Sequence, residues 1–269
     1  MNFFCSLSLA PRVRLFLIQI AALSLLAMIP GSSYGQFKFR EPVNRQTPKT
    51  LETLDGQRLW NRFQANREIG KFEVEGLLVT RPAGKPSQSM EFFLGGDWIN
   101  GMEQTRLLLS KDGRQIVHSE VHSGHSETTI KDLTKDCPKA EIPEKNFFTG
   151  LIHEGLPLTW DDVLMPFLHW ESYSYMGPSR YLGRPAHRFE VFNPESDVFP
   201  AKVVLTLDAD FAALLQVELF DVSGSPVRRI RVGGFKQFGE AWMFSELNWE
   251  NRKSRDSVRL SVSSFTLLP

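Results

Sequence analysis

Three histidines are the residues best spaced for chemistry: His118, His122 and His125, in the run His-Ser-Glu-Val-His-Ser-Gly-His. Imidazole is the commonest metal ligand and titrates near neutrality, so such a run can serve metal binding or proton transfer. The spacing argues against both. On an extended chain His118 and His122 face the same side about 13 Å apart, too far to share one metal. A turn at Ser123-Gly124 brings His122 closer to His125, but no carboxylate motif completes a metal set. The run reads as decoration on a solvent-exposed hairpin. His153-Glu154-Gly155 lacks the second histidine of a metalloprotease helix. There is no Gly-x-Ser-x-Gly elbow, and Cys137, followed by Pro138, has no partner motif. With no phosphate loop, nucleotide fingerprint or nucleic-acid motif either, no catalytic residue, metal or cofactor is expected.

Acidic side chains are plentiful and their pairing is three-dimensional, so a glycosidase-like hydrolase acting on envelope polymers stays open as an alternative. Trp170, Tyr173, Tyr175 and Tyr181 have the chemistry to stack on sugars, although an aromatic lid over a core is the plainer reading. They sit in Leu164–Pro194, which Pro166, Gly177, Pro178, Gly183 and Pro185 interrupt too often for one regular element. Loop and short helix laid over a sheet are expected there, covering something apolar.

The elements that would position such a cover read as mainly β. Leu51, Leu54, Leu59, Trp60 and Phe63 fall near helical spacing, with Asp55 a cap for the later part. From Lys71 short runs alternate with turn signals. Strands are expected at 71–80, 89–94, 104–110, 115–121 and 127–133, then at 184–192, 202–207, 214–220, 227–235, 241–250 and 257–267. Asp112-Gly113 is a two-residue hairpin signal. Thr159, with Asp162 three residues on, resembles a capping box for a short helix that Pro166 ends. Val203, Leu205 and Leu207 share one face of a strand, as do Leu215, Val217 and Leu219. Trp242 and Phe244 point opposite to Met243, Leu247 and Trp249, as in a sheet curved around a helix or cavity, or in a packed sandwich.

Residues 1–35 read as a cleaved secretory signal. Arg12 and Arg14 precede the apolar run Leu15–Ile29, and Ser33-Tyr34-Gly35 offers small residues for cleavage. The run is about 15 residues, short of the roughly 18–20 that span a bilayer. Residues 36–50 would be a flexible N-terminal segment and 51–269 one domain. Removing the signal leaves 29 basic against 31 acidic residues, with no basic stripe for nucleic acid. It also leaves Cys137 alone, so no internal disulfide is possible and the core must supply the stability.

From about Phe72 to Leu267 the chain resembles the LolA-like family of outer-membrane lipoprotein-sorting proteins, as a divergent branch rather than the archetypal periplasmic carrier. The resemblance rests on Phe92-Phe-Leu-Gly-Gly-Asp-Trp, Gln104-Thr-Arg-Leu-Leu-Leu and Met165-Pro-Phe-Leu-His-Trp. Gly183-Arg-Pro-Ala-His, Asn193-Pro194 and Leu214-Leu-Gln-Val-Glu add to it. It implies an α+β fold: a strongly curved, incomplete antiparallel β-barrel of about 10–11 strands, with a few helices lidding the concave face. It further implies a periplasmic, non-enzymatic carrier that shields acyl chains of lipid or lipoprotein, exchanging them with a membrane-bound donor or acceptor complex. The cavity would use Phe72, Val74, Phe92, Leu107, Leu109, Trp242 and Phe244 from the sheet and Leu164, Phe167 and Leu168 from the lid. Arg106 would meet a headgroup or carbonyl. A non-catalytic assembly or scaffold factor binding a protein partner is the first alternative, and the envelope hydrolase is the second.

Overall fold

The structure, a computed structural model, describes residues 49–65, 70–99, 102–123, 128–132, 151–195 and 197–268. Helix α1 (Lys49–Ala65) is followed by strands β1 (Gly70–Arg81), β2 (Gln88–Ile99), β3 (Met102–Lys111), β4 (Arg114–Ser123) and β5 (Thr128–Asp132). A short helix α2 (Trp160–Leu164) and a 3-10 helix (Pro166–His169) come next. Strands β6 (Tyr173–Tyr181), β7 (Arg184–Phe192), β8 (Lys202–Asp208) and β9 (Leu214–Phe220) lead to β10 (Pro226–Phe238), β11 (Ala241–Asn251) and β12 (Ser257–Leu267). The expected signal peptide, the segment before Lys49, His125 and Cys137 lie outside the described residues.

All twelve strands form one antiparallel sheet in the order β5-β4-β3-β2-β1-β12-β11-β10-β9-β8-β7-β6. It is two meanders joined at the β1–β12 seam, curved but not closed, an incomplete barrel with helices on one face. The strand that sequence reading missed is β6. Gly177 and Pro178 break its pattern, yet β6 is an edge strand, where proline costs no ladder bond on the open side. A register shift between Tyr175 and Gly177 absorbs the irregularity. The Leu164–Pro194 segment is therefore lid only in its first turns and a β-hairpin thereafter.

One face of the sheet is a continuous apolar stripe because matching residues pair across the ladder. Leu205 lies between Phe189 and Val217, Leu260 between Leu247 and Leu78, and Leu109 between Phe92 and Val117. All nine are buried. Each such side chain is worth about 1.5–3 kcal/mol on burial. The opposite, outer face is charged. Glu218 there draws Arg252 (2.9 Å), Arg229 (3.5 Å) and Arg188 (3.8 Å), from different strands and a turn.

Helix α1 lies on the inner face with Leu59, Trp60 and Phe63 buried, at the spacing that makes one stripe. Trp60 stacks on Tyr173 at 4.3 Å and meets Phe189 at 5.2 Å. Gly56 is what lets the helix come this close, since a Cβ there would stand 2.7 Å from the Tyr175 ring. The expected cap at Asp55 is overturned: the helix runs through it, and its exposed carboxylate pairs with Arg58 one turn on (3.8 Å).

Candidate apolar site and its cover

The sheet residues expected to line a cavity fall in two groups. Phe72, Val74, Phe92, Leu107 and Leu109 are buried together on the inner face of β1, β2 and β3, within the same cluster as Leu164 and Phe167 from the cover. Leu168 and Phe244 are partly buried against that cluster. Trp242 is not brought there: at 46 % exposed it stands near the β10–β11 turn. It is the second residue of β11, beyond the buried Leu247 and Trp249, and by simple alternation it faces away from them. Arg106 is also displaced from expectation. It alternates with the buried Leu107, points to the outer face and pairs with Glu120 at 3.6 Å. There it lines a separate cavity of about 280 Å³, with Glu73, Phe93, Gly95 and Glu120 among its walls.

The cover over the inner face is held by polar bonds. Thr159 precedes α2, and the Asp162 carboxylate accepts from the Thr159 backbone N–H and hydroxyl, both at 2.8 Å. The guanidinium of Arg228, on β10, donates to Asp162 and to Thr159 Oγ1. Trp249 Nε1, on β11, donates to the Asp162 carbonyl at 3.0 Å. Thr159 and Asp162 are buried, and Arg228 is nearly so. A buried ion pair of this kind is strong against removal of one partner, although its net contribution is small. The Thr159/Asp162 half of this latch was legible as a capping pattern. Arg228 and Trp249 were not, because their only signal is a fold that brings together residues 66 and 87 positions away from Asp162.

Next to the latch, Asp161 is buried and its carboxyl is pushed up to about 7, first by burial and then by the neighbouring Asp162 charge, against a smaller lowering by Arg228. Met165, left-handed at φ 47, separates α2 from the 3-10 helix, whose Pro166 fits its first position. Phe167 is fully buried and meets Trp170 edge-on at 6.4 Å. Tyr173 and Tyr175 prove to be packing residues under α1. The Tyr175 hydroxyl bonds His187 Nδ1 at 2.7 Å, and burial holds the His187 pKa below its usual value.

His118 and His122 both lie on β4, His118 opposite Leu108 and His122 opposite Gln104. Among the described residues no three His, Cys, Asp or Glu side chains gather as a metal site, and no helix is long and apolar enough to cross a membrane.

No family model and no curated protein matches the chain. Solved structures do. A DUF1329 family protein from Desulfovibrio piger superposes with a TM-score of 0.68 at 12 % identity, covering 80 % of this chain and 92 % of that one. A domain from Vibrio parahaemolyticus assigned to outer membrane lipoprotein sorting gives 0.66 at 14 %, over 78 % and 92 %. A LolA superfamily protein from Nitrosomonas europaea gives 0.62 at 13 %, over 80 % and 94 %. With an open antiparallel sheet and helices over its apolar face, the chain has a LolA-like fold.

Proposed function

We propose that the protein is an exported carrier that shields acyl chains of lipid or lipoprotein between its inner apolar face and the α2 cover. The observation that carries this reading is the combination of a continuous apolar stripe with a cover fastened at its base by a discrete polar latch. A cover glued only by apolar contacts would lift gradually, whereas a buried ion pair holds or breaks. Released acyl chain of about 15 methylenes costs on the order of 12 kcal/mol to expose to water. An apolar face closed when empty and opened on loading supplies the area to offset that, and the task needs no catalytic side chain. The lipoprotein-sorting assignment of the Vibrio domain points the same way, toward an envelope cargo. Cargo would pass to and from a membrane-bound complex, in the periplasm, with residues 1–35 as the export signal.

Mass spectrometry of organic extracts from natively purified protein tests this directly. Co-purified phospholipid or acylated peptide, together with uptake of a fluorescent fatty acid, is the expected result. Finding neither sinks the carrier reading. Leu168→Glu, at a partly buried position in the 3-10 helix, should abolish uptake while the far-UV CD spectrum stays β-rich, and so should Phe167→Glu if that chain still folds. Uptake that survives in a folded Leu168→Glu chain removes the cover from the site.

A further inference from the structure

Because neighbouring strands run in opposite directions, their turns collect in two sets at opposite ends of the sheet. The turns after β1, β3, β7, β9 and β11 share one end and are mainly polar, with Lys85, Asp112, Asp221, Lys253 and Asp256 among them and Phe192 and Val222 exposed beside them. The other end holds the turns after β6, β8 and β10 and the end of β12. Ten large apolar side chains are exposed among the described residues, and five of them fall at this second end. They are Leu182 (86 %), Trp242 (46 %), Phe211 (44 %), Leu268 (39 %) and Leu267 (37 %).

Two turns of matching backbone sharpen the contrast. Asp112-Gly113 has φ 51 and 72, and Leu182-Gly183 has φ 48 and 85. Both central positions need positive φ, which favours Asn, Asp or Gly. The polar end has the expected aspartate. The apolar end has a leucine, in a conformation it disfavours, almost wholly in solvent and without packing in return. Nothing within the fold calls for it. Cations accompany the apolar tips: Arg180 donates to the Gly183 carbonyl at 3.2 Å, and Lys236 Nζ lies 5.1 Å from the Phe238 ring. Among the described residues the exposed Asp210 and Glu240 interrupt the apolar ones, which leaves separate tips rather than the continuous dry patch that a protein partner fits. Separate apolar and aromatic tips with basic neighbours suit the fluid water–lipid interface.

We propose that this end of the sheet is a docking surface for a lipid bilayer. Leu182, Phe211 and Trp242 enter the headgroup layer, and Arg180 and Lys236 meet lipid phosphates. This goes beyond the carrier reading and does not depend on it.

Flotation of the purified chain with vesicles of phosphatidylethanolamine and phosphatidylglycerol tests it. The wild-type chain floats with the vesicles. Leu182→Asn and Trp242→Gln each lower the partition coefficient about tenfold, as expected for one apolar side chain withdrawn from lipid. Leu182→Asn suits the turn better than leucine, so its melting temperature is unchanged or higher and the loss is not one of folding. Val222→Asn, exposed at the polar end, binds like the wild type. The proposal is overturned if the wild type stays with the soluble fraction, if the two variants float undiminished, or if Val222→Asn loses as much. It is also overturned if the chain self-associates without lipid and Leu182→Asn disperses it, which assigns this end to a protein contact. Fatty-acid uptake without flotation refutes the docking surface alone, and flotation without uptake refutes only the carrier.

Discussion

The two covers on the inner face are fastened by different means. Helix α1 is held by rings and by the absence of a side chain at Gly56: Trp60 on Tyr173, and the helix backbone against Tyr175. The α2 segment also buries Val163, Leu164 and Phe167, but it adds a buried ion pair, a capping carboxylate and an indole hydrogen bond. Apolar contact is non-directional and degrades by degrees, while a buried pair is nearly all-or-none. Under the carrier reading proposed above, the difference makes α2 the element that would switch between seated and lifted, with α1 a fixed part of the wall.

The sharpest way to break this contrast is Arg228→Ala. It leaves the Asp162 carboxylate buried without its cation and should cost about 3–5 kcal/mol in denaturant unfolding. Adding Asp162→Asn should recover much of that loss, because no buried charge then stands unpaired. At temperatures where the fold survives, Arg228→Ala should also speed acyl uptake. A loss below about 0.5 kcal/mol with unchanged uptake would reduce the latch to an ordinary surface pair.

Next in size is the pH dependence of Asp161. Its folded pKa is about 7 against an ordinary 3.8, so between those values the folded state binds the extra proton. Stability from this group is therefore full below about pH 4 and falls as pH rises to about 7, by no more than about 4 kcal/mol. Asp161→Asn should flatten that slope and raise the melting temperature at pH 8. Asp256, held low by Ser254 and the Ala83 N–H, acts with the opposite sign and only at acid pH, so the two windows separate in a pH titration of stability. An unchanged slope in Asp161→Asn would place the charge-sensitive part of the cover elsewhere.

The smallest expected effect belongs to α1. Alanine outranks glycine inside a helix by about 1 kcal/mol, yet Gly56→Ala should destabilise by about 1 kcal/mol net because its Cβ would collide with Tyr175. With Tyr175→Ser the same change should become stabilising. A double-mutant cycle that shows no coupling would mean that α1 is not seated on that ring.

Much of this was legible in the sequence, and the failures share a cause. Eleven strands, the Asp112-Gly113 turn, the stripe on α1 and the Thr159/Asp162 pattern depend on residues close in the chain. Strand β6 was missed because Gly177 and Pro178 forbid a central strand but not an edge one, and edge position is a property of the whole sheet. Trp242 and Arg106 were placed by the family resemblance, whereas strict alternation from the buried Trp249 and Leu107 turns both away from the inner face. Arg228 shares a strand face with the buried Ile230 and Val232, unlike Arg229 and Arg231, but nothing local names its partner Asp162, 66 positions away.

The strand order has a mechanical consequence. Strands β1 and β12 sit side by side mid-sheet, so the two free edges, β5 and β6, are connected by residues 133–172, the stretch that contains α2. On the β6 side the described residues 165–172 join α2 directly to that lip of the open barrel. Any motion of the β6 lip is therefore passed to α2 through eight residues. The sheet's own ends, by contrast, meet at the seam, where the Leu268 N–H donates to the Lys71 carbonyl at 2.9 Å. Cutting the chain between β5 and Leu151 would keep every strand and leave α2 joined to the sheet through its β6 side alone.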